Sequence, residues 1–110
     1  MVKGKYNAEE YVRVRLPNRS KHEMFAIADK LVGGSRIQVV CEDGKNRLGR
    51  ILGRIRKRQW IREGDLLIIR PWDFQPEKCD VISRYKKTQS INLSRRSLLP
   101  PKIDIFKGRE

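Results

Sequence analysis

The chain has 110 residues, and 26 lysines and arginines against 13 aspartates and glutamates give a net charge of +13. That length fits one domain with tails, and its core buries only about 60% of the unfolded surface. Two cysteines 38 positions apart and a single histidine, His22, argue against a Cys/His zinc site and a disulfide framework.

Charge is unevenly placed. Residues 1–21 carry net +4, residues 22–83 net +3 and residues 84–110 net +6. Between Lys45 and Arg62 there are eight basic side chains and no acidic one. A one-sign block beside a core element points to a polyanion partner, and a nucleic acid fits best. No apolar run approaches the roughly 20 residues that span a bilayer, and no signal peptide is visible. A cytoplasmic monomer without membrane contact is expected.

In chain order, residues 1–21 are expected to form a basic, flexible arm. It is either a solvated tail or an arm that contacts RNA through Lys3, Lys5, Arg13, Arg15 and Arg19. The barrel domain is expected over 22–85. A first strand is expected at 23–32, with Phe25, Ile27 and Leu31 on one parity, and Gly33-Gly34-Ser35 reads as a turn. Residues 36–42 alternate strictly, with Ile37, Val39 and Cys41 facing one way. Asp43-Gly44 signals a hairpin, and a type I′ turn would need positive φ there.

A third strand is expected at 46–52. Leu48 and Ile51 have opposite parity, which requires either a bulge or cover on both faces. Residues 54–64 form a basic connector, with one helical turn expected around Arg58 to Ile61. The fourth strand, 66–70, is an apolar run and must lie central or covered on both sides. The PWDFQP loop follows, where Trp72 and Phe74 read as loop packing in preference to base platforms. A fifth strand is expected at 78–85. Residues 86–99 suggest a short helix with a weak Ile91, Leu98, Leu99 stripe, ended by Pro100-Pro101. Residues 100–110 read as a flexible tail.

Five short strands in this spacing favour an all-β class, a five-stranded OB-fold barrel with a short C-terminal helical addition and basic flexible tails. Such barrels bind oligonucleotides through strands 2–3, where Arg36, Lys45, Arg47 and Arg50 fall. Arginine forks pair with phosphate and stack on bases. Trp60 either stacks on an unpaired base or plugs the barrel. No paired carboxylates, nucleophile set or phosphate-cradling glycine loop is visible, so neither enzymatic activity nor a metal or cofactor is expected.

The run Gly49 to Asp65, GRILGRIRKRQWIREGD, resembles the central signature of the translation initiation factor 1A family. GGSRIQVVCEDGKNRLGR at 33–50, PWDFQ at 71–75 and KCDVISRY at 78–85 extend the resemblance. It implies an OB-fold that binds the small ribosomal subunit at the decoding A site, its basic loop against rRNA. It also implies a part in recruiting initiator tRNA and messenger, with initiation factors 1 and 2 and the GTPase factor 5B. Arg54, Arg56 and Lys57 match the family's RNA-contacting loop, flanked by Arg50, Arg58 and Arg62, and Trp60 matches its aromatic position. The long acidic C-terminal extension of eukaryotic members is missing, which points to an archaeal member. Ile103-Asp104-Ile105-Phe106 resembles the acidic-aliphatic end by which eukaryotic members contact factor 5B. The alternative, a sequence-tolerant single-stranded RNA chaperone of cold-shock type, predicts aromatics on strands 2–3, and none lies between Arg36 and Ile55.

Overall fold

A computed structural model of the protein describes residues 15–53 and 61–107. Strands β1 (Met24–Gly33), β2 (Arg36–Cys41), β3 (Asn46–Ile51), β4 (Leu66–Pro71) and β5 (Lys78–Arg84) close into a barrel in the order β1-β2-β3-β5-β4. All pairs are antiparallel except β3 with β5. Closure pairs most of the edges that an open five-stranded sheet would present. All five expected strands are present, with ends within two residues of the expected ones. The expected turn around Arg58 to Ile61 falls largely outside the described residues.

Alternation decides what fills the barrel. Ile37, Val39 and Cys41 of β2 point inward and are fully buried. On β3 the inward positions are Arg47, Gly49 and Ile51, and Leu48 is half-buried on the outside. Leu48 and Ile51 therefore differ because Leu48 is partly covered on an outer face whose other positions, Asn46 and Arg50, are exposed, and the ladders of β3 run without a register shift. A Cβ at Gly49 would stand 3.2 Å from Val81 Cγ2 and 3.3 Å from Cys79 Sγ, so this strand position needs a residue without a side chain. The β2–β3 hairpin forms at Asp43-Gly44, but only Gly44 has positive φ, 85°. Gly44 N–H donates to Cys41 O at 2.8 Å. The connection is thus a type I turn closed by a left-handed glycine rather than type I′.

On strand β1, Phe25 and Ile27 share one face as expected, but Leu31 does not join them. Ala26 and Ala28 face the barrel interior, and Phe25 and Ile27 face outward into a second apolar cluster. Pairing with β4 ends at Ile27, and the β2 register shifts between Ala28 and Lys30. Beyond that bulge β1 has left the barrel wall, which is why Leu31 and Val32 are exposed.

The apolar run of β4 is explained by two cores. Leu67 and Ile69 pack inside the barrel, and Leu66 and Ile68 pack outside against Ile82, Tyr85 and the C-terminal segment. That segment holds helix α1 (Lys87–Arg95), whose buried anchor is Leu93. Leu98, expected on the apolar stripe, is exposed, and Leu99 is buried. The serines that lower helix propensity serve as close-packing positions. Ser90 Oγ donates to Lys86 O at 3.1 Å, and Ser94 Oγ donates to Asp104 Oδ1 at 2.7 Å.

The expected flexible tail at 100–110 is corrected for its described part. After a 3-10 turn at Pro101–Ile103, Ile103 and Phe106 are buried in the outer cluster. Asp104 holds this turn by accepting from Ser94 Oγ and from the Phe106 amide. Ile105 alone of the expected acidic-aliphatic contact is an exposed apolar side chain.

Helix α1 ends with Leu98 N–H donating to Leu93 O and Ser97 N–H to Ser94 O, with Ser97 in the left-handed region at φ 58°. This is the geometry in which glycine is preferred. Ser97→Gly should raise stability by about 0.5–1 kcal/mol, read as a higher melting temperature; an unchanged or lower melting temperature would contradict the assignment of strain.

The arm is tied down sooner than expected. Arg15 Nη2 donates to both oxygens of buried Glu23, at 3.2 and 3.0 Å, and the Asn18 amide donates to Glu23 Oε1 at 2.9 Å. Tyr85 Oη donates to Arg15 O. Burial pushes the Tyr85 phenol up, so it stays protonated as a donor. Arg19 pairs with Glu42 at 3.0 Å and lies over the Phe25 ring. Residues 15–21 thus lie against the barrel. Lys3, Lys5 and Arg13 lie outside the described residues.

Both thiols are free and buried inside the barrel. Burial raises both, Cys79 to about 12. Neither should react with a thiol reagent at pH 8 while the chain is folded, because the thiolate is the reactive form. Both should react once denaturant is added. Rapid labelling of the native chain would show the barrel to be open.

Candidate nucleic-acid interface

The outward positions of four adjacent strands form one charged row. Register places Arg36 (β2) beside Arg50 (β3), Arg50 beside Asp80 (β5), and Asp80 beside Arg70 (β4). Lys78 sits one pleat along β5, and the Trp72 amide donates to Lys78 O at 2.9 Å. The row thus carries four cations and one carboxylate, with Arg50 and Arg70 flanking Asp80. Arg36, Arg50 and Arg70 are exposed and Lys78 is half-buried.

Trp72 joins these groups. Its Nε1–H donates to Asp80 Oδ1 at 3.0 Å, and the same oxygen accepts from Arg50 Nε at 3.0 Å. Arg50 Cζ lies 5.4 Å and Lys78 Nζ 5.7 Å from the indole ring centre. Cation–π contacts at such exposure contribute only about 0.5–1 kcal/mol each, so they orient more than they stabilise.

Two grooves meet at this indole. One, of 320 Å³, is lined by Ser35, Arg36, Leu48, Gly49, Arg50, Trp72 and Lys78. The other, of 560 Å³, runs past Lys21, His22, Arg70, Asp73, Phe74 and Asp80. Phe74 stands 98% exposed at its rim. The reading of Trp72 and Phe74 as loop packing is therefore corrected. Trp72 belongs to the charged face, and Phe74 packs against nothing because the proline-bounded loop holds it away from the barrel. An open aromatic beside cations suits base stacking, which tolerates any sequence.

One residue expected at this surface is not there. Arg47 points into the barrel mouth and is 6% exposed. Its Nη1 and Nη2 donate to Asp43 at 3.1 and 3.0 Å, and its Nε donates to Pro76 O at 2.7 Å. Burial works against its charge, but the bonds to Asp43 and Cys41 outweigh that and keep it protonated. In turn burial tends to raise Asp43, and the bonds from Arg47 and the Lys45 amide hold it below the ordinary carboxylate range. Arg47 is committed to the fold because its parity matches Gly49 and Ile51.

The other expected residues fall in several places. Arg36 and Arg50 form the centre of the face. Lys45 is exposed in the β2–β3 turn, at the opposite end of that hairpin. Arg62 is exposed at the foot of the connector, its amide donating to Asp65 Oδ2 at 2.8 Å. The adjacent Ile61 is 6% exposed and packs inside the barrel, so the connector is anchored on this side. Arg54, Arg56, Lys57, Arg58 and Trp60 lie outside the described residues. Arg15 and Arg19 are both held by carboxylates of the barrel.

Sequence reading missed Arg70, Lys78 and Asp80. The signal was available in part, since Lys78 and Asp80 alternate with the inward Cys79 and Val81.

Sequence comparison matches residues 12–107 to the family described as translation initiation factor 1A / IF-1. A translation initiation factor 1A of Thermoplasma acidophilum is 59% identical over 104 residues, covering 94% of this chain and 87% of that protein. The corresponding factor of Picrophilus torridus is 50% identical over 104 residues, covering 94% and 96%. That of Methanopyrus kandleri is 44% identical over 95 residues, covering 86% and 84%. With a closed five-stranded barrel, a packed C-terminal helix and relatives of this similarity, the chain belongs to the translation initiation factor 1A family, in its archaeal branch.

Proposed function

We propose that this protein acts in initiation by binding the small ribosomal subunit at the decoding A site through rRNA, so promoting recruitment of initiator tRNA and messenger. The observation that carries the reading is the row of Arg36, Arg50, Lys78 and Arg70 across four strands, bordered by Trp72 and Phe74. Phosphate contacts from such a face fix position without reading sequence. The connector residues Arg54, Arg56 and Lys57, with Arg58, Trp60 and Arg62, extend the contact beyond the barrel. Seated in the A site, the protein would exclude an elongator tRNA. It would also bias the subunit's conformation, to the extent that it binds two subunit states unequally. Initiation factors 1, 2 and 5B are the expected partners of the assembled complex, and this chain is expected to act as a cytoplasmic monomer without catalysis.

Sedimentation with purified archaeal small subunits, large subunits and free single-stranded RNA tests this reading. Wild type should travel with small subunits alone. The triple variant Arg54→Glu, Arg56→Glu, Lys57→Glu should remain folded and stay behind. Equal binding to all three RNAs would instead support a single-stranded RNA chaperone. The open Phe74 beside Trp72 is the one observation that favours that second reading.

A further inference from the structure

We propose that the 320 Å³ groove between Arg36, Arg50 and Lys78 is a site for an RNA backbone phosphate, and that Asp80 is the positioning residue that sets it. The proposal rests on the RNA-binding reading above, since it concerns how the same face is organised.

A carboxylate in the middle of an RNA-facing cationic row is, by charge alone, a defect. It repels phosphate and offsets one of the four cations. Its geometry argues for another role. A single oxygen, Asp80 Oδ1, accepts from Arg50 Nε and from Trp72 Nε1, both at 3.0 Å. Asp80 itself is only 13% exposed, whereas Arg50 is 56% exposed. The acid therefore lies beneath the cation rather than in front of it. Arg50 is gripped at Nε, with its guanidinium carbon 5.4 Å from the indole ring centre. Two constraints on one flexible side chain remove much of the rotamer freedom it would otherwise lose on meeting a ligand.

The groove itself has the chemistry of a phosphate site. Arg36 sits directly opposite Arg50 in the β2–β3 register, and among the described residues no carboxylate pairs with it. Lys78 closes the third side above the Trp72 ring. Leu48, half-buried on the outer face of β3, lines the groove beside Arg50. Arginine forks held in a fixed plane match phosphate oxygens in a way that a freely rotating lysine does not.

Charge and positioning make opposite predictions. Removing the carboxylate altogether should tighten RNA binding if electrostatics alone governs, and should weaken it if Arg50 depends on Asp80 for its orientation. The test measures affinity for archaeal small subunits and for oligouridine, at fixed salt, with a series at one position. Asp80→Ala should lose about tenfold, the size of one lost charge-assisted contact. Asp80→Asn keeps an acceptor oxygen and should bind at least as well as wild type. Asp80→Glu keeps the charge but displaces the oxygen, and should weaken binding. In an Arg50→Ala background, Asp80→Ala should no longer weaken binding, because there is no guanidinium left to orient.

Asp80→Ala binding as tightly as wild type would overturn the proposal. So would an equal loss in both backgrounds, which would make Asp80 merely structural. Should Asp80→Ala melt early, Asp80→Glu decides the same question, since charge alone predicts wild-type binding and a displaced acceptor predicts weaker binding. A wild type that binds oligouridine but not small subunits would reject the initiation reading, and the oligouridine series would still decide the role of Asp80.

Discussion

Replacing Ile103 and Phe106 together with alanine should leave the chain unfolded or aggregated at physiological temperature. Ile103 is 1% exposed and Phe106 5% exposed, and both close the outer core over Phe25, Leu66 and Ile68. An Ile→Ala change in a core costs about 2–5 kcal/mol and a Phe→Ala change about 3–5 kcal/mol. Even with some coupling between neighbours, the pair removes about 6 kcal/mol from a total of roughly 5–15 kcal/mol. Circular dichroism and urea titration would read the loss, and light scattering the exposed apolar face. A double variant that melts with wild type would show that this segment does not seal the barrel. By contrast Ile105→Ala, at a 44% exposed position, should change stability by less than about 0.5 kcal/mol. Any question of whether the C-terminal residues meet factor 5B is therefore better asked with Ile105 than by deleting residues 102–110, which would remove part of the core.

This segment also marks where sequence reading stops. The barrel was legible because β2 alternates with period two and the turn residues at 33–35 and 43–44 are spaced to close hairpins. The four-residue apolar run of β4 announced cover on both faces, but no local pattern says what provides the cover. The covering residues, Leu93, Ile103 and Phe106, come from a serine-rich helix and from beyond a Pro-Pro pair. Their burial is a long-range fact. For the interface, assigning the contact to strands 2–3 and the basic block found Arg36 and Arg50 but also Arg47. Parity within β3, not composition, separates Arg47 from Arg50. The missed half of the face lies on β4 and β5, which barrel closure brings beside β3 by a parallel pairing between strands distant in sequence. Arg70 and Lys78 stand outside the basic block and became part of the site only through that register.

If RNA lies on this face, the variant Arg36→Gln, Arg70→Gln, Lys78→Gln should bind small subunits with a visibly shallower salt dependence. Contact with about six phosphates predicts a slope of log affinity on log salt of roughly −4 to −5 for wild type, and each lost phosphate contact removes about 0.7–0.9. Three lost contacts should bring the slope to roughly −2. At low salt the affinity gap between the two proteins should exceed about a hundredfold, and it should shrink as salt rises, because released counterions supply the difference. Stability should change little. Arg36 and Arg70 pair with no carboxylate among the described residues, and Lys78 contributes one exposed ring contact. The connector variant at Arg54, Arg56 and Lys57 gives the complementary measurement. Two surfaces that grip separate phosphates should each lower the slope, and the combined variant should lower it by the sum. A face variant with the wild-type slope would mean that the connector alone holds the RNA, leaving the four-strand row turned toward something else.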